Sequence, residues 1–304
     1  MQEVKDTRAL LATVGMAVLF GTSFVASKVA LGGFSPTQLI FLRFAIAALF
    51  FALAKGFLHV QQLTREQSKK VLVLALLEPG IYFFLEAYGL KLTLASTAAV
   101  LIATIPLFVV LLEAFWLKVR VSPREVALIL LSLFGVTLLL TAGGWDRAFG
   151  GTFLGNLLIL GAAFSASLYT IVARKLMASV DALTVTRWQA VFATVFYFPF
   201  ALGAYALGGK LPSTPRPWLA AVYLGLACSF GAYFLLNYAL SRLRASFVSA
   251  FSNLIPVVAS VLAVVFLGET LSAQQVVGAA IAIAAITALT LTHRPASSPP
   301  PPSG

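Results

Sequence analysis

Charge is what this chain has least of. Asp, Glu, Lys and Arg make up 10% of its 304 residues, while hydrophobic types make up 60%. A soluble domain needs far more polar surface than that to face water, so the solvent around most of this chain is lipid. Cysteine is nearly absent. The single Cys228 lies inside an apolar run, which excludes an intramolecular disulfide and any C-x-x-C metal or redox site. Histidine is almost as scarce. His59 and His293 fall in a loop and a tail, which argues against a buried histidine relay or a histidine metal site. There is no H-E-x-x-H, no D-x-x-x-D and no Gly-rich phosphate loop. A lipid-linked transferase would need paired acids for a metal-diphosphate, or a nucleophile with its base. The expectation is therefore no enzyme, no catalytic residue, no metal and no cofactor. A channel would show a charged ring or a repeated filter motif, and neither is present.

What the chain does have is apolar length. A spanning helix needs about 20 mostly apolar residues. Ten windows meet that requirement: 9–31, 36–54, 71–90, 94–117, 123–142, 151–174, 181–207, 217–240, 245–267 and 272–291. The first is too long for a signal peptide and reads as a retained helix. The net charge of +11 is scattered through the short gaps between these runs. It reports topology rather than a nucleic-acid face. Of 21 Lys and Arg, the outer loops would hold Lys91, Arg147, Lys210 and Arg216. Lys28, Arg43 and Arg187 lie within or at the ends of helices, which leaves 21 − 4 − 3 = 14 on the inner side. That bias places both termini in the cytoplasm. The tail PASSPPPPSG is low-complexity and carries no nameable chemistry.

The chain also repeats itself. With an offset of 150, FFLEAYGLKLTLAS (83–96) falls on YFLLNYALSRLRAS (233–246), and TIPLFVVLLEAFWL (104–117) on LIPVVASVLAVVFL (254–267). Between 83 and 122, 11 of 40 positions are identical without a gap, including Tyr88, Ser96 and Pro106. Five helices per copy is an odd number, so the second copy enters the membrane inverted. Such inverted pairs are typical of secondary transporters, with the substrate near the midplane between the halves. The expected fold is an all-α membrane protein of ten transmembrane helices in two inverted five-helix repeats, residues 1–146 and 147–293. A disordered Pro-rich tail would occupy 294–304.

Pro106 and Pro256 are mates in this repeat. Proline within a helix costs about 3 kcal/mol. Two readings stand: a plain kink re-satisfied by neighbours, or a paired bend that shapes a cavity and lets half-helices move.

Taken together, FLGETLSAQQVVGAAIAIAAI (266–286), the Ala-Ser…Ile-Pro pattern, Arg43 of FLRF and the two five-helix copies resemble the EamA type of the drug/metabolite transporter superfamily. The resemblance covers the chain outside its tails and is nearest to YddG-type exporters of aromatic amino acids. It implies a bacterial inner-membrane exporter with a central cavity and alternating access. Lys118-Val119 stand in the first copy where Gly268-Glu269 stand in the second. Glu269 is therefore read as a loop or helix-end contact rather than a substrate group.

Candidate site residues follow from polarity at depth. Glu78, Tyr82 and Glu86 are spaced for one helix face, with Phe83 beside them, and Ser229, Tyr233 and Asn237 form a similar stripe. Glu78 is either a helix end near the headgroups or part of the site. Glu86 either pairs with Lys28, Arg43 or Lys91, or binds a substrate ammonium or coupling proton. Glu113 is expected to pair with a nearby cation. Arg43 either grips a substrate carboxylate or makes a structural ion pair. Tyr169, Trp188, Gln189 and Tyr233 are the membrane-depth polar and aromatic candidates, and Trp145 and Trp218 read as interfacial anchors. Ser96, Thr97, Ser252 and Asn253 either allow close helix packing or form a polar wall. The functional expectation is a transporter of amino acids, aromatic and other neutral ones, or of related metabolites. Its partners would be a small-molecule substrate and the bilayer, with no nucleic acid, and one chain would suffice as a monomer. The alternative is proton-coupled efflux of cationic compounds.

Overall fold

The computed structural model describes residues 6–93, 95–119, 121–141, 152–208, 211–267 and 271–292. The expectations on Trp145, Gly268, Glu269 and the Pro-rich tail lie outside the described residues. So do those on the side chains of Lys28, Lys91, Ser96 and Thr97.

Every element among the described residues is helical: α1 (Thr7–Ala30), α2 (Pro36–Leu53), α3 (Arg65–Ala75), α4 (Tyr82–Leu92), α5 (Ala95–Ile102), α6 (Ile105–Trp116), α7 (Pro123–Leu140), α8 (Phe153–Leu176), α9 (Ala182–Ala206), α10 (Pro215–Tyr223), α11 (Tyr233–Arg242), α12 (Ala245–Ala250), α13 (Ile255–Leu267) and α14 (Ala273–Thr292), with short 3-10 or π segments between some of them. Nine stretches of these are long and apolar enough to cross a membrane, from Thr7–Ser27 to Ala245–Leu262, and Ala273–Leu289 is a shorter apolar helix. The windows read from hydropathy coincide with these helices in number and order.

The helix starts are written in polar residues ahead of each apolar run. Ser35 and Thr64 form reciprocal capping boxes with Gln38 and Gln67. Ser122, Thr152 and Asp181 accept from the third backbone N–H beyond them. Pro36, Pro123 and Pro215 occupy the first helical position, where a missing N–H costs no bond.

The paired prolines obey the same rule. Pro106 is the second residue of α6, which starts afresh after a turn at 103–104. Pro256 is the second residue of α13, which follows the 3-10 turn Phe251–Leu254. Neither sits inside a continuous helix, as the apolar runs suggested. Each opens a second half-helix, so the cost of an interior proline is not incurred. Another pair of interruptions recurs at the same offset: the π segment Leu76–Ile81 and the π segment Leu224–Ala232.

Packing pairs α7 with α14, α2 with α9, α4 with α8, and α1 with α11 and α13. The α7–α14 contact is a backbone approach. A Cβ on Gly278 would sit 2.5 Å from Leu139 N and 2.6 Å from Gly135 O, and one on Gly135 would sit 2.6 Å from Ala282 N. Lipid tails compete with side chains for apolar contact, so close approach at small residues is what holds such a pair together.

At one end of the bundle Arg244 bridges two buried acids. Its Nη2 lies 3.2 Å from Glu113 and its Nη1 3.1 Å from Glu125, which also accepts from Ser246 Oγ at 2.7 Å. The expected cation partner of Glu113 is thus Arg244, contributed by the other half of the chain. Arg174 caps the end of α11 by donating to Leu240 O and Ser241 O.

Gly278→Ala forces the α7 and α14 backbones apart and is expected to cost about 1–3 kcal/mol, as overpacking does. The check is a lowered unfolding temperature of the protein purified in detergent, with Gly135→Ala behaving alike.

Candidate functional site

The centre of the molecule is a break. α3 and α4 are one span interrupted at Leu76–Ile81, where Glu78 adopts an extended backbone (φ −148°, ψ 121°) and Pro79 offers no N–H. Carbonyls disturbed by such a break must find donors inside the protein. They find them on two helices of the other half. Ser165 Oγ of α8 donates to Leu77 O at 2.8 Å, and Gln189 Nε2 of α9 donates to Glu78 O at 3.0 Å. Tyr197 Oη of α9 reaches Gly80 O at 2.7 Å and Pro79 O at 3.3 Å.

Beside the break, Tyr169, Gln189 and Asn237 are knotted together. Tyr169 Oη donates to Asn237 Oδ1 at 2.6 Å, and Asn237 Nδ2 donates to Gln189 Oε1 at 2.9 Å and Thr186 Oγ1 at 3.0 Å. All four side chains are buried, at most 1% exposed. Their hydrogen-bonding capacity is spent within the protein, so in this conformation they position α8, α9 and α11 rather than offer a surface.

The second group keeps open surface. Tyr82, Phe83 and Glu86 on α4 are half-buried, and the rings of Tyr82 and Phe83 stand edge to face at 5.2 Å. Tyr82 Oη donates to Glu86 Oε1 at 3.0 Å, and Tyr233 Oη donates to Glu78 Oε1 at 2.8 Å. Arg43 of α2 is buried at 6% exposure, and its Nε donates to Ser229 Oγ at 2.8 Å. Its guanidinium carbon stands 5.3 Å from the centre of the Phe83 ring and 5.7 Å from that of Phe44. Phe20 and Phe44 meet Tyr233 at 5.5 and 6.1 Å, and Phe44 meets Phe83 at 5.7 Å. The result is a cluster of aromatic rings around one guanidinium and two carboxylates, in which Phe20, Tyr82, Phe83 and Glu86 keep surface while Phe44 and Tyr233 are sealed at 1% exposure.

Several sequence expectations change here. Glu78 is not a helix end near headgroups; it sits at the break, buried against Tyr233. That same break spoils the single stripe expected of Glu78, Tyr82 and Glu86, because helical spacing holds only from Tyr82 onward. Arg43 forms no ion pair with Glu86 within 4 Å among the described residues. Trp188 is 42% exposed, with Arg187 5.8 Å from its ring, while Gln189 beside it is 1% exposed. Helical geometry separates such neighbours by about 100°, so the two side chains meet different surroundings. Asn253 is fully buried and donates to Ser132 of α7 at 2.8 Å, while Ser252 next to it is half-buried. Both lie on the 3-10 turn before Pro256, away from the cluster's hydrogen bonds.

Sequence reasoning missed Ser165, Thr186 and Tyr197. The available signal was a lone phenol in the run VFYFPF, since a buried Tyr hydroxyl needs an acceptor. The acceptors are backbone carbonyls 117 and 118 residues away, and no local pattern marks them. A separate cleft of about 300 Å³ at the start of α2 is walled by Phe34, Phe41, Phe198 and Trp218. Among its polar groups Gln38 accepts from the Ser35 backbone N–H and the Trp218 indole donates to Pro212 O, while Tyr205 is exposed.

The EamA-like transporter family matches residues 7–141 and again 153–291. The uncharacterized transporter YcxC of Bacillus subtilis is 30% identical over 92% of this chain and 91% of its own length. A probable terminal-alkyne amino-acid exporter of Streptantibioticus cattleyicolor is 29% identical over 98% of this chain and 99% of its own. One solved crystal structure superposes with a TM-score of 0.77 over 94% of this chain and 99% of that chain at 24% identity, a likeness of fold.

Gln189→Leu removes the donor to Glu78 O and the acceptor for Asn237, and Tyr197→Phe removes the donor to Gly80 O. Each is expected to destabilise by about 1–3 kcal/mol through a stranded buried polar group. Trp188→Leu, at an exposed position, is expected to stay within about 0.5 kcal/mol. Thermal unfolding in one detergent separates the two classes.

Proposed function

Because the chain belongs to the EamA-like transporter family, we propose that it exports amino acids, aromatic and other neutral ones, or closely related metabolites. The carrying observation is the cluster of Tyr82, Phe83, Glu86, Arg43 and Tyr233. It combines aromatic rings with one cation and two acids, a complement to a small amphipathic zwitterion. A relative aligned over nearly the whole chain is named as an exporter of an amino acid, which supports both the substrate class and the direction.

The proposed setting is the bacterial inner membrane, with ten spans and both termini cytoplasmic. Residues 1–146 and 147–293 would be inverted five-helix repeats, and the tail 294–304 would take no part. Several features support the repeat. The family matches twice, at 7–141 and 153–291. The helix interruptions recur at an offset of 150. The packing pairs map onto themselves when the halves are exchanged: α7–α14 and α2–α9 are each other's mates, and α4–α8 exchanges with α11–α1. Transport then proceeds by alternating access, with α5–α6 and α12–α13 bending at their proline-started breaks. The Arg244–Glu113–Glu125 bridge closes the cytoplasmic end by tying one half to the other. One chain carries both halves, so a monomer suffices.

The test is uptake of radiolabelled phenylalanine, tryptophan, threonine and a cationic dye into proteoliposomes, with and without a pH gradient. Saturable uptake of amino acids that needs no gradient is the expected result. Uptake of the dye alone, driven by the gradient, overturns the reading in favour of proton-coupled efflux with Glu86 as the proton carrier.

A further inference from the structure

Resting on that reading, we infer that Arg43 is the anchor for the substrate's carboxylate and that Glu86 receives its ammonium, so that transport requires a free carboxylate. The argument begins with a cost. A buried cation without a counter-ion is strongly unfavourable, and proteins pair such groups or keep them for a ligand. Arg43 is 94% buried by its 6% exposure. Among the described residues no carboxylate lies within 4 Å of it, and its one hydrogen-bond acceptor is the neutral Ser229 hydroxyl.

The geometry shows which edge is free. Ser229 is bonded to Nε, on the inner edge of the guanidinium fork. Among the described residues the two terminal nitrogens meet no acceptor, and they are not counted with the sealed, unpartnered polar atoms. Those nitrogens are the pair that grips a carboxylate bidentately. The flat guanidinium is held over Phe83 and Phe44, so its orientation is fixed before any ligand arrives.

The acids are kept out of its way. Glu86 and Glu78 are each held by a tyrosine hydroxyl, from Tyr82 and Tyr233 respectively. Glu86 reaches Arg43 through two rings rather than by contact: the guanidinium stands 5.3 Å from Phe83, Phe83 meets Tyr82 at 5.2 Å, and Tyr82 donates to Glu86. A guanidinium and a carboxylate held apart in one cluster match the two charged ends of an α-amino acid. The side chain of such a substrate then lies against Phe20, Tyr82 and Phe83, the aromatic residues of the cluster that keep surface. A zwitterion adds no net charge to the cluster, so it can be carried through lipid without leaving Arg43 or Glu86 unmatched.

The experiment uses the full-length protein in detergent and in proteoliposomes, with three probes of one side chain: phenylalanine, its methyl ester and 3-phenylpropanoate. Wild type is expected to be stabilised thermally by phenylalanine and to transport it at least about tenfold faster than the ester at low concentration, the size of one lost charge-assisted contact. Arg43→Gln is expected to lose that preference to within about twofold, and Arg43→Lys to retain part of it. Glu86→Gln is expected to weaken phenylalanine but not 3-phenylpropanoate. Transport of acid and ester at equal rates by wild type overturns the inference without any variant, so a misfolded Arg43→Gln does not shelter it. Phenylalanine transport with an unchanged acid preference in Arg43→Gln overturns it also. If wild type transports no amino acid but 3-phenylpropanoate still stabilises it through Arg43, the carboxylate anchor stands and the amino-acid exporter reading falls.

Discussion

A backbone carbonyl in lipid has nowhere to go but into the protein, and the centre of this molecule is organised by that constraint. The span α3–α4 breaks at Glu78-Pro79, and Ser165, Gln189 and Tyr197 supply donors to the carbonyls around the break. These donors come from α8 and α9, on the opposite half of the chain. The same bonds that repair the ladder therefore dock one half against the other. Gln189 also engages Asn237, which is held by Tyr169, so the repair extends through α11. The cluster is built on this scaffold, and Tyr82, Phe83 and Glu86 start the half-helix that the break releases.

Charge obeys the same economy. Buried acids at the Arg244 end are paired directly, with two carboxylates on one guanidinium and Ser246 adding a further bond. Removing one partner of such a set strands a buried charge, which in other proteins costs about 3–5 kcal/mol. The central cluster differs in kind. Its acids are bound by phenols and its guanidinium by a hydroxyl, so opposite charges share a space without neutralising each other by contact. One end of the bundle is a direct ion-pair network, and in the middle the charged groups are held by hydroxyls. The chain is a membrane transporter and not an enzyme, and this division of its few charges suits that role.

Apolar runs, caps and short gaps marked the helices correctly because in lipid the first requirement on a spanning segment is local: enough apolar length, with the backbone paired along each unbroken stretch. The family was legible for a similar reason. Motifs such as FLRF and the paired Ile-Pro lie in continuous stretches and survive as strings. Even the prolines were visible, though their role was not. A proline in an apolar run reads as an interior kink until the turn before it shows that a new helix begins there.

The sequence by itself determined that this chain lives in a membrane, that it spans it about ten times, that it repeats at an offset of 150 and that it is a transporter of the EamA kind. Only the tertiary structure decided which polar residues meet. Trp188 and Gln189 are neighbours in sequence and equal as candidates, yet one is exposed and the other is buried, because the rotation of α9 is set by packing against α2. Glu78 and Tyr233 are 155 residues apart and share a hydrogen bond. Arg43 looked able to pair with Glu86, and it was left facing Ser229 instead. Spacing along a helix fixes only the neighbours on that helix, whereas partners across a bundle depend on where breaks, small residues and close contacts bring separate helices together.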